Sequence, residues 1–235
     1  VCSSDLRCLI NGSTIENCVC FFRDNHVLVD KYIEYREEKI SKEELKEFVH
    51  AFCESKQEEI FAILGKEIAS LPSVIIKEME TNLFRKMTRM RDLEVEKHLL
   101  PEEDLDDNIE TAIKSAVYMN YRYLYNDKRI ADSAPTLHCA LFLFMRNYAY
   151  SGMFRYSSKG KFNVPYGGIA YNSKLMAKKL SYYRSKPLLK HFADTKIYNL
   201  DFEEFLRTTN PKEDDFVFLD PPYDSEFSTY AQNAF

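Results

Sequence analysis

The sequence predicts an α/β protein in which an open sheet carries a mostly helical insertion bearing a β-hairpin. Three observations lead there. The apolar run Phe216-Val217-Phe218-Leu219 reads as a buried strand and stops at Asp220-Pro221-Pro222-Tyr223. From Asn25 to about Asn126, apolar residues recur at helical spacing in an acidic background. Between the two, 153–166 reads as a pair of short strands joined at Ser158 to Lys161, where Gly160 supplies the positive φ of a tight turn.

Length and composition bound the rest. A chain of 235 residues can bury a real core. No apolar stretch approaches the roughly 18 residues of a membrane span, and six irregularly spaced cysteines do not make a disulfide framework. The expectation is therefore a reducing cytoplasm, and, separately, a monomer. Cys18-x-Cys20 near His26 lacks a second pair, so no metal is expected. The net charge of −5 hides an asymmetry: from Arg146 to Lys196 there are eleven Lys or Arg and one acid, Asp194. Seven tyrosines between Tyr148 and Tyr183 interleave with those cations, a texture that suits nucleic acid better than a merely solvated face.

The first residues, 1–6, match the translation of a widely used sequencing adapter and are set aside as an assembly scar, so the chain is expected to be a fragment. Ser41-x-x-Glu44 and Ser55-x-x-Glu58 fit capping boxes, and Gly65 fits the end of the second helix. Further helices are expected over Ser73 to Lys97 and Asp106 to Tyr125. Tyr118, Tyr121 and Tyr125 share one face of the latter and read as core. Pro135 opens an apolar helix to about Met145, expected to be the most buried of this half. Beyond the hairpin, a basic helix should run from Asn172 or Ser173 to Ser185, and a short one from Pro187 to Phe192. Lys196 to Asn199 reads as a strand, and Asp201 as the N-cap of a helix through Leu206 with Phe202 in the core.

The strand end at Asp220 has the ingredients of a site. In open α/β sheets ligands sit beyond the carboxyl ends of strands. Prolines at 221 and 222 stiffen the loop and leave its carbonyls free to accept, while Tyr223 offers an aromatic plate. A carboxylate, a carbonyl and a ring together suit a flat amine-bearing ring. An ordinary turn would use the same residues.

Asp220-Pro221-Pro222-Tyr223 resembles the Asp-Pro-Pro-Tyr signature of amino-methyltransferases that use S-adenosylmethionine, and Asp224 to Tyr230 resemble more narrowly the DNA adenine methyltransferase (Dam-like) family. Residues 155–167, Arg-Tyr-x-x-x-Gly-x-Phe-Asn-Val-Pro-Tyr-Gly, resemble the DNA-reading hairpin of the same family. The likeness covers 147–235 well and the preceding helices loosely. One departure is Ser151 before Gly152, where the family often has Asn, so no base contact is carried over to that corner.

The resemblance implies a partial Rossmann-like methyltransferase sheet in 171–235 and a mostly helical target-recognition region in 7–170 carrying the hairpin 153–166. It implies methyl transfer from S-adenosylmethionine to N6 of an adenine flipped out of double-stranded DNA. Asp220 and the Pro221 carbonyl would accept hydrogen bonds from the two N6 protons, Pro222 would stiffen the loop and Tyr223 would stack on the base. Asp220 would also lie near the cofactor, with Asp201 and Phe202 beside its adenine. Arg155, Tyr156, Lys159, Lys161, Asn163 and Tyr166 would meet the DNA. No Phe-x-Gly-x-Gly cofactor loop occurs, and the ribose-binding acid has no candidate, so the fragment is expected to be inactive alone. Methylation of RNA or protein, or DNA binding without catalysis, remain alternative readings.

Overall fold

The computed structural model describes residues 26–64, 72–174 and 176–220. The chain divides into two compact units, Val1–Ala177 and Lys178–Phe235. The first holds α1 (Val27–Arg36), α2 (Lys42–Ser55), α3 (Gln57–Leu64), α4 (Pro72–Glu96), α5 (Glu102–Tyr125), α6 (Lys128–Ser133) and α7 (Pro135–Tyr148). Then come α8 (Met176–Tyr183), α9 (Lys186–Asp194) and α10 (Phe202–Thr209).

Two long helices, α4 and α5, pack on each other and organise the first unit, with α2 against α4 and α7 against α5. Ile75, Ile76, Met79, Leu83, Met87 and Met90 line the buried side of α4 at helical spacing. The most buried helix is α5 rather than α7, because α5 is covered by α1, α4, α6, α7 and the short 3-10 turn Ile169–Tyr171. Tyr118 and Tyr121 are buried in it, as their shared face foretells. Helix α5 also starts earlier than expected, at Glu102, directly after Pro101 and with Glu102, Glu103 and Asp104 in the first turn beside the positive end of the dipole.

Caps explain the remaining boundaries. Ser41 and Glu44 form the full capping box: Ser41 Oγ accepts from the Glu44 amide at 3.1 Å, and Glu44 Oε2 accepts from the Ser41 amide at 2.7 Å. Ser55 forms no such box. It ends α2, and its hydroxyl donates back to the Phe52 carbonyl at 2.8 Å. Gly65 lies outside the described residues.

The expected α/β architecture is overturned: among the described residues there is no strand and no sheet. Phe216 is 89% exposed and Phe218 76% exposed, in an extended run with no ladder. Lys196 to Asn199 likewise forms no strand. Apolar texture signals strand propensity, but a strand exists only where a neighbour takes its backbone groups, and the described residues supply none to these segments. The β-hairpin is corrected as well, to a looped ribbon with two isolated antiparallel bridges, Ala149 to Tyr166 and Tyr156 to Phe162. In the second unit, α9 and α10 bury no residue, and Asp201 caps α10 by accepting from the Glu203 amide at 2.9 Å.

Candidate nucleic-acid interface

The ribbon departs from a regular ladder because α5 takes the place of a partner strand. Tyr118, Arg122 and Asn126 stand at intervals of four, hence on one face of α5 and its C-cap. Tyr118 donates its hydroxyl to the Val164 carbonyl at 3.0 Å, and Arg122 donates to the carbonyls of Asn163 and Val164 at 3.3 and 3.2 Å. Asn126 donates to the Phe162 carbonyl at 2.9 Å and accepts from the Phe162 amide at 2.8 Å. Four helical residues advance about 6 Å, close to the roughly 6.6 Å of two extended residues. The helix side chains and ribbon carbonyls therefore keep step over 162–164.

Cross-ribbon bonds survive at both ends. Ser157 and Asn163 amides donate to the Lys161 and Arg155 carbonyls at 2.8 and 3.2 Å. The Gly160 amide donates to Ser157 at 2.8 Å, closing the turn with Gly160 at φ 69°. At the base, Tyr150 donates to Pro165 and Gly167 to Tyr148. Phe162, Val164 and Tyr166 point into the core. Phe162 packs edge-on to Tyr125 and beside Phe154, so the ribbon is clamped by packing as well as by hydrogen bonds.

That clamp leaves one set of side chains outside. Arg155, Lys159 and Lys161 are exposed, and Arg155 Nε donates to Asn163 Oδ1 at 3.1 Å, which joins two of the sequence-predicted residues. Tyr156 is exposed, with its hydroxyl 2.8 Å from that of Tyr125. The Tyr125 hydroxyl is pushed above the ordinary phenol range, first by burial and then by Tyr156. Tyr166 is placed differently: it is buried against Tyr118 and Tyr171 and donates to Asn172 Oδ1 at 3.4 Å.

An open cleft of about 720 Å³ runs beside the turn, between Lys159 and Lys161 and the end of α5. Arg122, Lys128, Arg129 and His138 also line it, and the expectations from sequence included none of these four. The one available signal was the polar stripe at 118, 122 and 126 through an aromatic helix. Asp127 largely neutralises Arg129, which holds that carboxyl below its usual range by side-chain and backbone hydrogen bonds, with Lys161 adding a further small pull. Among the described residues, the cleft's positive charge without a carboxylate partner therefore sits on the ribbon, on Lys128 and on Arg122, whose hydrogen bonds go to backbone carbonyls.

The other predicted residues lie in the second unit. Asp220 is exposed, and Pro221, Pro222 and Tyr223 lie outside the described residues. Asp201 Oδ1 is engaged in capping, and Phe202 is 63% exposed rather than core. Elsewhere, His50, Glu54 and Glu80 bring three metal-type ligand atoms within 4.8 Å of one another on α2 and α4, although His50 Nδ1 is already 2.8 Å from Glu80 Oε1.

A sequence model of the D12 class N6 adenine-specific DNA methyltransferases matches residues 71–235. The chain is 32% identical over 123 residues to the type II methyltransferase M1.LlaDCHI of Lactococcus lactis subsp. cremoris, covering 50% of this chain and 42% of the relative. It is 39% identical over 95 residues to the type II methyltransferase M.CviBI of Paramecium bursaria Chlorella virus NC1A, covering 40% and 34%. The DNA adenine methylase of Escherichia coli K12 is 29% identical over 126 residues, covering 51% and 40%. The chain thus spans about a third to two fifths of the length of these relatives. No solved structure matches it.

Proposed function

Because the chain belongs to the D12 class N6 adenine-specific DNA methyltransferase family, we propose that it comes from a site-specific enzyme that methylates N6 of adenine in duplex DNA. The observation that carries this reading is the ribbon 153–166. Its backbone is fixed to α5 by Tyr118, Arg122 and Asn126, while Arg155, Lys159 and Lys161 stand outside. A slim, stiff, cationic ribbon suits a major groove, where a guanidinium donates to guanine and ammonium groups meet phosphates.

The catalytic residues we assign are Asp220, Pro221, Pro222 and Tyr223, on the strength of their signature. A base cannot be methylated while stacked, so the adenine is flipped into their reach. The Asp220 carboxylate and the Pro221 carbonyl accept hydrogen bonds from its two N6–H groups, which turns the nitrogen lone pair out of conjugation. Tyr223 stacks on the ring, and positioning supplies most of the acceleration. The methyl donor of this family we take to be S-adenosylmethionine. Asp201, Phe202 and Asp220 are the residues we assign beside it; Asp201 Oδ1 caps α10, and Phe202 and Asp220 are exposed. The division into a recognition region, 7–170, and part of a catalytic domain, 171–235, belongs to the same proposal.

No helix among the described residues is long and apolar enough to cross a membrane. A cytoplasmic monomer acting on DNA is the setting we assign. Competition among duplex DNA, RNA and a basic-residue-binding peptide for the chain tests the substrate class. Duplex DNA should displace the others, and equal competition by RNA would favour an RNA substrate.

A further inference from the structure

Helix α4 carries Arg85, Lys86, Arg89 and Arg91 within two turns. Arg91 is neutralised: it donates to Glu38 Oε1 at 2.8 Å and lies over the Tyr35 ring at 4.6 Å. The other three have no carboxylate partner among the described residues. Arg85 donates to Asn82 Oδ1 at 2.8 Å and Lys86 to Asn108 Oδ1 at 3.2 Å, both neutral amides. Burial holds the Lys86 ammonium below the usual lysine range, and Arg89 and Arg85 lower it further. Like charges at i and i+4, as at 85 and 89, cost a helix a few tenths of a kcal/mol. The cluster thus weakens its own helix and has no internal counterion.

These cations line a second open cleft, of about 790 Å³, between α4 and α5 and floored by Ser115, Met119 and Tyr166. Glu78 is the one acid on its wall, and its Oε2 accepts from Asn82 at 3.1 Å. Glu78, Met119 and Arg122 also belong to the cleft beside the ribbon turn, so the two clefts are contiguous. A positive path therefore runs from Lys159 and Lys161, past Arg122, to Arg85 and Arg89.

We propose that Arg85, Lys86 and Arg89 hold the sugar-phosphate backbone of the duplex flanking the recognition site, as a second contact track beyond the ribbon. The proposal rests on the DNA reading above and deepens it. Arg85 and Arg89 are exposed, on one face of α4 and about 6 Å apart along its axis, so both can face the same strand. Guanidinium groups there can each take two phosphate oxygens, whereas Lys86, half-buried behind them, raises the local potential. Backbone contacts fix register without reading sequence, so this track adds affinity and salt dependence but no base preference.

The test is fluorescence anisotropy of the 235-residue chain with duplexes of about 12 and about 24 base pairs, over about 50 to 200 mM salt. With the longer duplex, the R85Q/R89Q double variant should lose about two units of the salt slope, at about 0.9 per phosphate released. The same variant should lose little with the shorter duplex. R85K/R89K, which keeps the charge, should retain the wild-type slope. An unchanged slope in R85Q/R89Q overturns the track, and so does an equal loss in R85K/R89K, which would mark a structural defect. If K159A/K161A still flattens the slope in those cases, the DNA reading stands without the track. Failure of the wild-type chain to bind duplex at either length overturns both.

Discussion

One side chain satisfies both backbone groups of one ribbon residue: the Asn126 amide donates to the Phe162 carbonyl at 2.9 Å and accepts from the Phe162 amide at 2.8 Å. Phe162 itself is 1% exposed, so neither group has ready access to water. Asn126→Ala leaves a buried donor and a buried acceptor unpaired, at about 1 to 3 kcal/mol each in the unrelaxed limit. The expected loss is about 2 to 4 kcal/mol, read from urea unfolding. Asn126→Asp keeps the acceptor and removes the donor, so it should fall between. A loss under about 0.5 kcal/mol in the Ala variant, the range of an ordinary surface change, would show that the ribbon does not depend on this clamp.

This pairing also marks the limit of what the sequence made legible. Helices follow from period and caps, which are local: α4 was expected over Ser73 to Lys97 and spans Pro72–Glu96, and the Ser41 box forms in full. Strands depend on partners that no local pattern reveals. The segment Phe216 to Leu219 looks like a strand but has no ladder here, and the ribbon's carbonyls pair with a helix. Asp220 was singled out by its neighbours in the chain, a local signal, whereas Arg122 meets the ribbon, and Lys128 and His138 line the cleft beside it, only through folding.

Stability should fall on the alkaline side. In the unfolded chain a cysteine thiol ionises near about 8.5, while burial pushes the Cys53 thiol up to about 12, with Glu80 and Glu54 adding to the shift. Between those values the unfolded chain releases a proton that the folded one keeps. The contribution is therefore complete below about pH 8.5 and is lost as pH rises toward 12, at up to about 1.4 kcal/mol per pH unit. Burial also raises the hydroxyls of Tyr32, Tyr118 and Tyr166, which steepen the fall above about pH 10. Urea midpoints of Cys53→Ala across about pH 8 to 10 should show a shallower decline than the wild type. Parallel curves would remove Cys53 from the account.

In an active enzyme carrying this segment, Asp220→Ala should reduce methyl transfer by about a hundredfold or more while leaving duplex binding nearly intact. The cationic ribbon and Asp220 lie in different units of the chain. Asp220→Asn should be milder, because its amide oxygen still accepts one N6 proton, although the NH₂ can present the wrong group. Paired measurement of turnover and affinity separates these effects, and near-normal turnover in the Ala variant would exclude Asp220 from the chemistry.

Arg155 is the ribbon residue expected to read a base. Its Nε donates to Asn163 Oδ1 at 3.1 Å, which ties down one edge of an exposed guanidinium and leaves its terminal nitrogens without a protein partner among the described residues. Two parallel N–H donors of a guanidinium match guanine O6 and N7. Arg155→Ala should then cost about 1 to 3 kcal/mol at the cognate site and relax preference at one base position. Asn163→Ala keeps the guanidinium but frees its rotation, so it should blunt the same preference by a smaller factor. Lys161→Ala should instead weaken binding to all sequences alike and reduce the salt slope by about one. Methylation of a randomised-site library by an active enzyme carrying this segment distinguishes the roles. If wild type and Arg155→Ala yield the same base preferences, Arg155 is one more phosphate contact, and the readout must lie elsewhere on the ribbon.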